Sequence, residues 1–292
     1  MPVFGASESA LHYLSRGRGE PVLLIHGLGS CGRDWALQVP ALEKRFQTIV
    51  PDLPGCGHSK PWRDRYSIQG FAKSLWALLD HLEIAAPNIV GFSLGGAVGL
   101  EMALQRPTSV PRLALINSLA SYVLDDRYKW FEARFPAALV KLCGMRIAAR
   151  VAAARLFPEP WQGPMRERAR TVIAAVPART YLDLGLALQQ WSALDRLHRL
   201  KSRTLLIAAE HDFTPLAEKR ALAARLNAAL VVVRGSRHGT PFDAVHATNA
   251  SLLAHLTDQE LPHHDRRIRD TPDHIHSLTL AGSIAEEHAL GP

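Results

Sequence analysis

The chain has 292 residues, 47% of them apolar, enough for one large core or two modest ones. Its formal charge is +7, but the arginines are dispersed, mostly over the middle third. No basic run is interleaved with aromatics, which argues against a nucleic-acid partner and for a solvated helical surface. No apolar run approaches the length of a membrane span, and Met1-Pro2-Val3-Phe4-Gly5 lacks a basic-then-apolar leader, so no membrane association or export is expected.

The opening segment, through Leu11-His12-Tyr13-Leu14, reads as a strand or hairpin closing at Arg16-Gly17-Arg18-Gly19. Pro21 to Ile25 is a continuous apolar run, as in a strand covered on both faces. It leads into His26-Gly27-Leu28-Gly29-Ser30. A helix is predicted from Asp34 through Leu42, then a strand over Phe46 to Val50. The stretch Asp52-Leu53-Pro54-Gly55-Cys56-Gly57-His58-Ser59 is too rich in Gly and Pro to be anything but a loop. Phe71, Leu75, Leu78, Leu79 and Leu82 recur at helical spacing and predict an amphipathic helix over Ser67 to Leu82. Strands follow at Pro87 to Val90 and Arg112 to Asn117. Strand and helix therefore alternate, which predicts a parallel sheet covered on both faces.

From about 118 to 200 no strand is evident. Ala, Arg and Leu dominate, and prolines break the run at Pro136, Pro158, Pro160, Pro164 and Pro177. These residues read as helices inserted into the sheet order as a cap. Most cap aromatics are expected in its core; Trp130, Trp161 and Trp191 are the candidates to face a cavity beneath it. Thr204 to Ala208 restores the sheet, a helix follows over Leu216 to Leu226, and Ala229 to Val233 is the last strand. The last helix spans Ala244 to Leu256. Residues 1–257 thus form one domain, and 258–292 a mobile tail whose five histidines fit no metal-site spacing. Cys31, Cys56 and Cys143 are odd in number and far apart, as expected of reduced thiols in a cytoplasm, and Cys56 reads as a small buried filler.

The stretch with chemical content is Gly91-Phe92-Ser93-Leu94-Gly95-Gly96. A short apolar strand precedes it and a helical pattern follows, which is the setting a G-x-S-x-G turn requires. Such a turn lifts the Ser93 hydroxyl above the sheet and aims free helix N–H groups at its neighbour. A serine hydroxyl needs a base, and the base needs an orienting acid. Asp212 and His238 stand just past the last two strands, on the edge where Ser93 sits, in the chain order Ser, Asp, His. His211, His246 and His58 compete with His238, and Glu210 with Asp212. His246 belongs inside a helix and His211 lies too close to the acid in sequence. The backbone N–H groups of Leu28 and Leu94 are the candidates for an oxyanion hole.

With His26-Gly27-Leu28-Gly29 and Asp52-x-Pro54-Gly55-x-Gly57-x-Ser59, these residues resemble the α/β-hydrolase superfamily over about Val3 to Leu256. The resemblance implies an eight-stranded, mostly parallel sheet with a lid after the sixth strand, and no metal or organic cofactor. Ser at the elbow, not Asp, argues against the haloalkane dehalogenase and epoxide hydrolase branches. Leu94 departs from the Trp usual in proline iminopeptidases. The small esterases, enol-lactonases and cofactor-free perhydrolases are most similar. Ala209 and Arg237 stand where the superfamily commonly has Gly; Arg237 would act on the His238 imidazole or on an acidic substrate. The implied function is hydrolysis of a small carboxylic ester or lactone. The rivals are a thioester, an amide or peroxide at the same triad, and a non-catalytic binding protein.

Overall fold

The computed structural model describes residues 3–5, 10–124 and 127–262. Eight strands form one sheet in the order β1-β2-β4-β3-β5-β6-β7-β8. They are β1 (Val3–Phe4), β2 (Leu11–Arg16), β3 (Glu20–Ile25), β4 (Phe46–Pro51), β5 (Asn88–Phe92), β6 (Arg112–Ile116), β7 (Arg203–Ala209) and β8 (Ala229–Val233). The pairs β1–β2 and β2–β4 are antiparallel, and every other pair is parallel.

Successive residues of the central strands point to opposite faces, so each strand feeds two cores. Leu23, Ile25, Ile89, Leu113, Leu115 and Leu206 pack on one face, against α2 (Ile68–His81) and α3 (Leu94–Gln105). Val22, Leu24, Val90, Ala114, Ile116 and Ile207 pack on the other, against α1 (Val39–Leu42) and α9 (Val245–Leu256). Each fully buried aliphatic side chain contributes roughly 1.5–3 kcal/mol relative to exposure, which is why this segment reads as continuous apolar runs. The helix α2 begins where Ser67 caps it, its hydroxyl accepting from the Gly70 N–H at 3.0 Å.

One predicted helix divides. Asp34 to Leu42 forms a short 3-10 turn at Gly32–Trp35 and then α1, because Pro40 is tolerated only in a first turn. Between β6 and β7 lie α4 (Arg127–Leu156), α5 (Gly163–Ala175) and α6 (Ala178–Gln189). α4 is two arms, since Gly144 at φ 76° breaks the helix. Arg155 bonds Glu132 at 2.6 Å across that break, so the arms fold back antiparallel. The entry and exit of this helical cap are laced together at a Ser121–Ser192 bridge, with the Ala193 N–H on the Ala120 carbonyl at 2.8 Å. After β7 come α7 (Leu216–Leu226) and, past β8, the short α8 (Thr240–Asp243).

The first residues of the expected tail are attached to the core. Arg112 and Arg203 both bond Asp258, and Leu261 packs against the sheet. The rest of that tail, with its histidines, lies outside the described residues. Among the described residues no single helix is long and apolar enough to cross a membrane.

Candidate active site

Ser93 is the hinge between β5 and α3. Its φ of 53° and ψ of −117° are strained for a residue with a side chain. The strain is held by close packing on either side. A Cβ on Gly91 would lie 2.3 Å from the Gly95 carbonyl oxygen, and one on Gly95 would lie 2.1 Å from that of Ile25. Only glycine fits both positions, so strand and helix can meet tightly enough to present Ser93.

Three strand ends bring the partners in. The Ser93 Oγ lies 3.0 Å from His238 Nε2, just beyond β8. His238 Nδ1 lies 2.7 Å from Asp212 Oδ1, just beyond β7. The competing residues are elsewhere. His211 is exposed and pairs with Glu210, which also accepts from the Gly235 N–H. His246 is exposed on α9, and His58 faces Asp52.

Asp212 is fixed on all sides. Its second oxygen accepts from Thr214 Oγ1 at 2.6 Å and from the buried ammonium of Lys219 on α7. Burial works against the charged carboxyl, but His238 and Lys219 outweigh it and hold Asp212 well below the usual carboxylate range. Burial also lowers the Lys219 ammonium, against the pull of Asp212. The pair lies beneath the His238 ring, where losing one member would strand a buried charge.

Asn117, at the end of β6, ties the three strand ends together. Its Oδ1 accepts from the Ala209 N–H at 2.8 Å, while its Nδ2 donates to the His238 carbonyl at 2.8 Å and Thr240 Oγ1 at 2.7 Å. Phe213 stacks on the His238 ring with centroids 4.0 Å apart. Sequence reading missed Lys219, Asn117 and Phe213. Phe213 and Asn117 adjoin elements already singled out; Lys219 reads as an ordinary exposed helix residue and carries no signal.

Leu94 opens α3, and neither its N–H nor that of Leu28 has a protein acceptor among the described residues. Leu28 lies beside Ser93 on the same cavity wall. The loop that carries it is pinned by His26, whose Nδ1 contacts the Gly27 carbonyl at 2.9 Å and whose Nε2 accepts from the Leu53 N–H at 2.9 Å. Burial lowers the His26 pKa, which favours the neutral ring this pattern needs. Asp52 accepts from the N–H groups of Gly32 and His58, so the Asp52-to-Ser59 motif is a brace for the same rim. Cys56 is buried there and its thiol is pushed up by burial, as a filler should be.

Above Ser93 the cap encloses a cavity of about 270 Å³, most of it apolar. Phe135, Leu139, Val151, Ile173, Tyr181 and Leu188 form much of its wall. A smaller chamber of about 70 Å³ shares Leu28, Ser93 and His238 with it and is bounded by Phe157, Met165 and Phe242. The three candidate tryptophans line neither chamber. Trp191 is 1% exposed and donates to Glu101 Oε2 at 2.9 Å, anchoring the cap exit to α3. Trp130 and Trp161 are half exposed on the outer surface. Arg237 pairs with Glu159 at 3.5 Å and lines neither chamber. No group of three or more His, Cys, Asp or Glu side chains among the described residues could hold a metal ion.

A strained serine between strand and helix, with His and Asp from the next strand ends and a helical cap above, defines a class of fold. The chain belongs to the α/β-hydrolase family, whose description, alpha/beta hydrolase fold, matches residues 20–245. It is 30% identical to a putative carbamate hydrolase RutD of Stutzerimonas stutzeri (strain A1501), over 85% of this chain and 97% of that one. Over 101 residues it is 42% identical to the magnesium-chelatase 30 kDa subunit of Rhodobacter capsulatus, a match to 34% of this chain and 35% of the relative. The enol-lactonase of Burkholderia xenovorans LB400 superposes with a TM-score of 0.80 over 88% of this chain and 100% of its own. At 24% identity that likeness concerns the fold.

Proposed function

We propose that this protein is a serine hydrolase of a small carboxylic ester or lactone, working through an acyl-enzyme on Ser93. The observation that carries the reading is the unbroken relay from Ser93 Oγ through His238 to Asp212, at 3.0 and 2.7 Å. His238 takes the Ser93 proton as the hydroxyl attacks the carbonyl, and Asp212 holds the ring and stabilises the imidazolium that this transfer creates. The N–H groups of Leu28 and Leu94 receive the oxyanion; each such donor is worth about 3–4 kcal/mol in the transition state. His238 then protonates the leaving oxygen, and a water that it activates releases the acid. No step requires a cofactor.

The two chambers support a substrate with one large apolar part and one small part. The larger, at about 270 Å³, has roughly four times the volume of the smaller, at about 70 Å³. A carbamate is the second reading, favoured by the RutD relative; the apolar walls favour the ester. Thioester, amide and peroxide chemistry use the same relay and belong in the same substrate panel.

The test is labelling with a fluorophosphonate, read by intact mass, followed by turnover of matched esters, lactones and carbamates. One adduct on wild type and none on Ser93→Ala is expected, with at least about a thousandfold loss of kcat in that variant. Near-normal turnover by Ser93→Ala sinks the assignment. Tight ligand binding with no turnover would instead make this a binding protein on a hydrolase fold.

A further inference from the structure

The two arms of α4 have unlike faces. Glu132, Pro136 and Leu139 on the first arm, and Ala148, Val151 and Ala152 on the second, face inward and roof the larger cavity. The outward stripes repeat every three or four residues, as one face of a helix must. They expose Trp130 (52%), Phe131 (53%), Leu142 (84%) and Ile147 (46%). Interleaved with these are Arg134, Lys141, Arg146 and Arg150, all exposed. From Arg127 to Leu156 there are seven basic residues and one acid, Glu132, a formal +6 against +7 for the whole chain. That acid is engaged by Arg155. Among the described residues no carboxylate is bonded to Arg134, Lys141, Arg146 or Arg150.

We propose that this outer face of α4 docks on an anionic lipid bilayer surface. Charge and shape select that occupant. A second copy would set two strongly cationic faces against each other. A nucleic acid would engage the cations and the aromatics but has no use for Leu142 and Ile147. These aliphatic side chains flank Gly144, at the hairpin tip, with Lys141 and Arg146 beside them. Cations at headgroup depth around an aliphatic tip that enters the acyl boundary are the chemistry of an interfacial segment. Such a contact needs no spanning helix. It also sets the inner face, and the cavity it roofs, directly against the lipid. Lipophilic esters could then pass from bilayer to Ser93 without crossing water; that consequence rests on the proposed hydrolase reading, whereas docking does not.

Cys143 at the tip is exposed, while Cys31 and Cys56 are buried, so an environment-sensitive fluorophore can be placed there alone. The experiment uses the full chain with vesicles of phosphatidylcholine, with or without phosphatidylglycerol. Sedimentation with the mixed vesicles only, a blue shift of the probe on binding, and weakening by salt are expected. Each cation at such a surface changes partitioning by about fivefold, so Arg146→Glu with Arg150→Glu should reduce binding by more than about twentyfold. Leu142→Ser should remove most of the blue shift. These residues line neither chamber, so hydrolysis of a water-soluble ester and the thermal midpoint should stay at wild-type values in all variants. Equal sedimentation with both vesicle types, or none with either, overturns the proposal. So does binding to duplex DNA as tight as to mixed vesicles without a blue shift. Docking by a protein whose Ser93 is inert would leave this inference standing and remove the hydrolase reading.

Discussion

The floor and the roof of the cavity are built by opposite means. The floor is the C-terminal edge of the sheet, where Ser93, Asp212, His238 and Asn117 come from four strand ends and are bound to one another at 3.0 Å or less. The roof is the α4 hairpin, which packs through the buried Val140, Ala148, Ala149 and Ala153 and carries ion pairs such as Arg155–Glu132 and Lys129–Glu218. Ion pairs that keep contact with solvent, as these partly exposed ones do, contribute about 0–1 kcal/mol each. Short directional bonds are therefore concentrated where atoms must react, while the roof rests on non-directional apolar packing and weak ion pairs.

This contrast can be broken most severely where the roof is fastened to the floor. Trp191→Ala should cost about 3–5 kcal/mol, because it opens a cavity and removes one of the donors to buried Glu101; Trp130→Ala, on the roof's outer surface, should stay within about 0.5 kcal/mol. Urea unfolding of both variants checks this, and equal losses would mean that roof and floor are equally fixed.

Acid should loosen the floor from below. His255 on α9 is buried, and burial, with Arg112 and Arg203 nearby, lowers its pKa from 6.5 to about 4. The unfolded chain takes that proton below about pH 6.5 and the folded chain only near 4, so stability falls as pH drops through this window. The share of His255 in the loss at pH 5 relative to pH 7 should be about 2 kcal/mol, with buried His26 adding to the total in the same direction, and His255→Leu should shrink the total by that share, as read by urea midpoints at the two pH values.

The smallest change sharpens the roof's role. Gly185 in α6 lines the larger cavity, and a Cβ there would meet no heavy atom within 4 Å. Gly185→Leu should raise KM for long-chain esters at least tenfold and leave the shortest unchanged. Removing a mid-helix glycine should also stabilise the fold by about 0.5–1 kcal/mol. A uniform change in KM along the chain-length series would show that the large part of the substrate lies elsewhere.

The sequence by itself determined the sheet, its crossovers and the loops that hold Ser93, Asp212, His238, Leu28 and Leu94. Apolar runs and glycine turns are local signals, and a parallel sheet brings all its strand ends to one edge. Only the tertiary structure decided the rest. Lys219 meets Asp212 because α7 folds back under the loop that precedes it, and Asn117 reaches His238 across 121 positions. The aromatic content of the cap was legible, but which rings face the cavity was not. Phe135 and Tyr181 point in, while Trp130 and Trp161 point out. The same holds for the cations of α4: Arg134, Lys141, Arg146 and Arg150 are exposed, while Lys129 and Arg155 line the cavity. A helix's inward side is set by what it packs against, and α4 reverses at Gly144, so its stripes acquire their meaning only once both arms are in place.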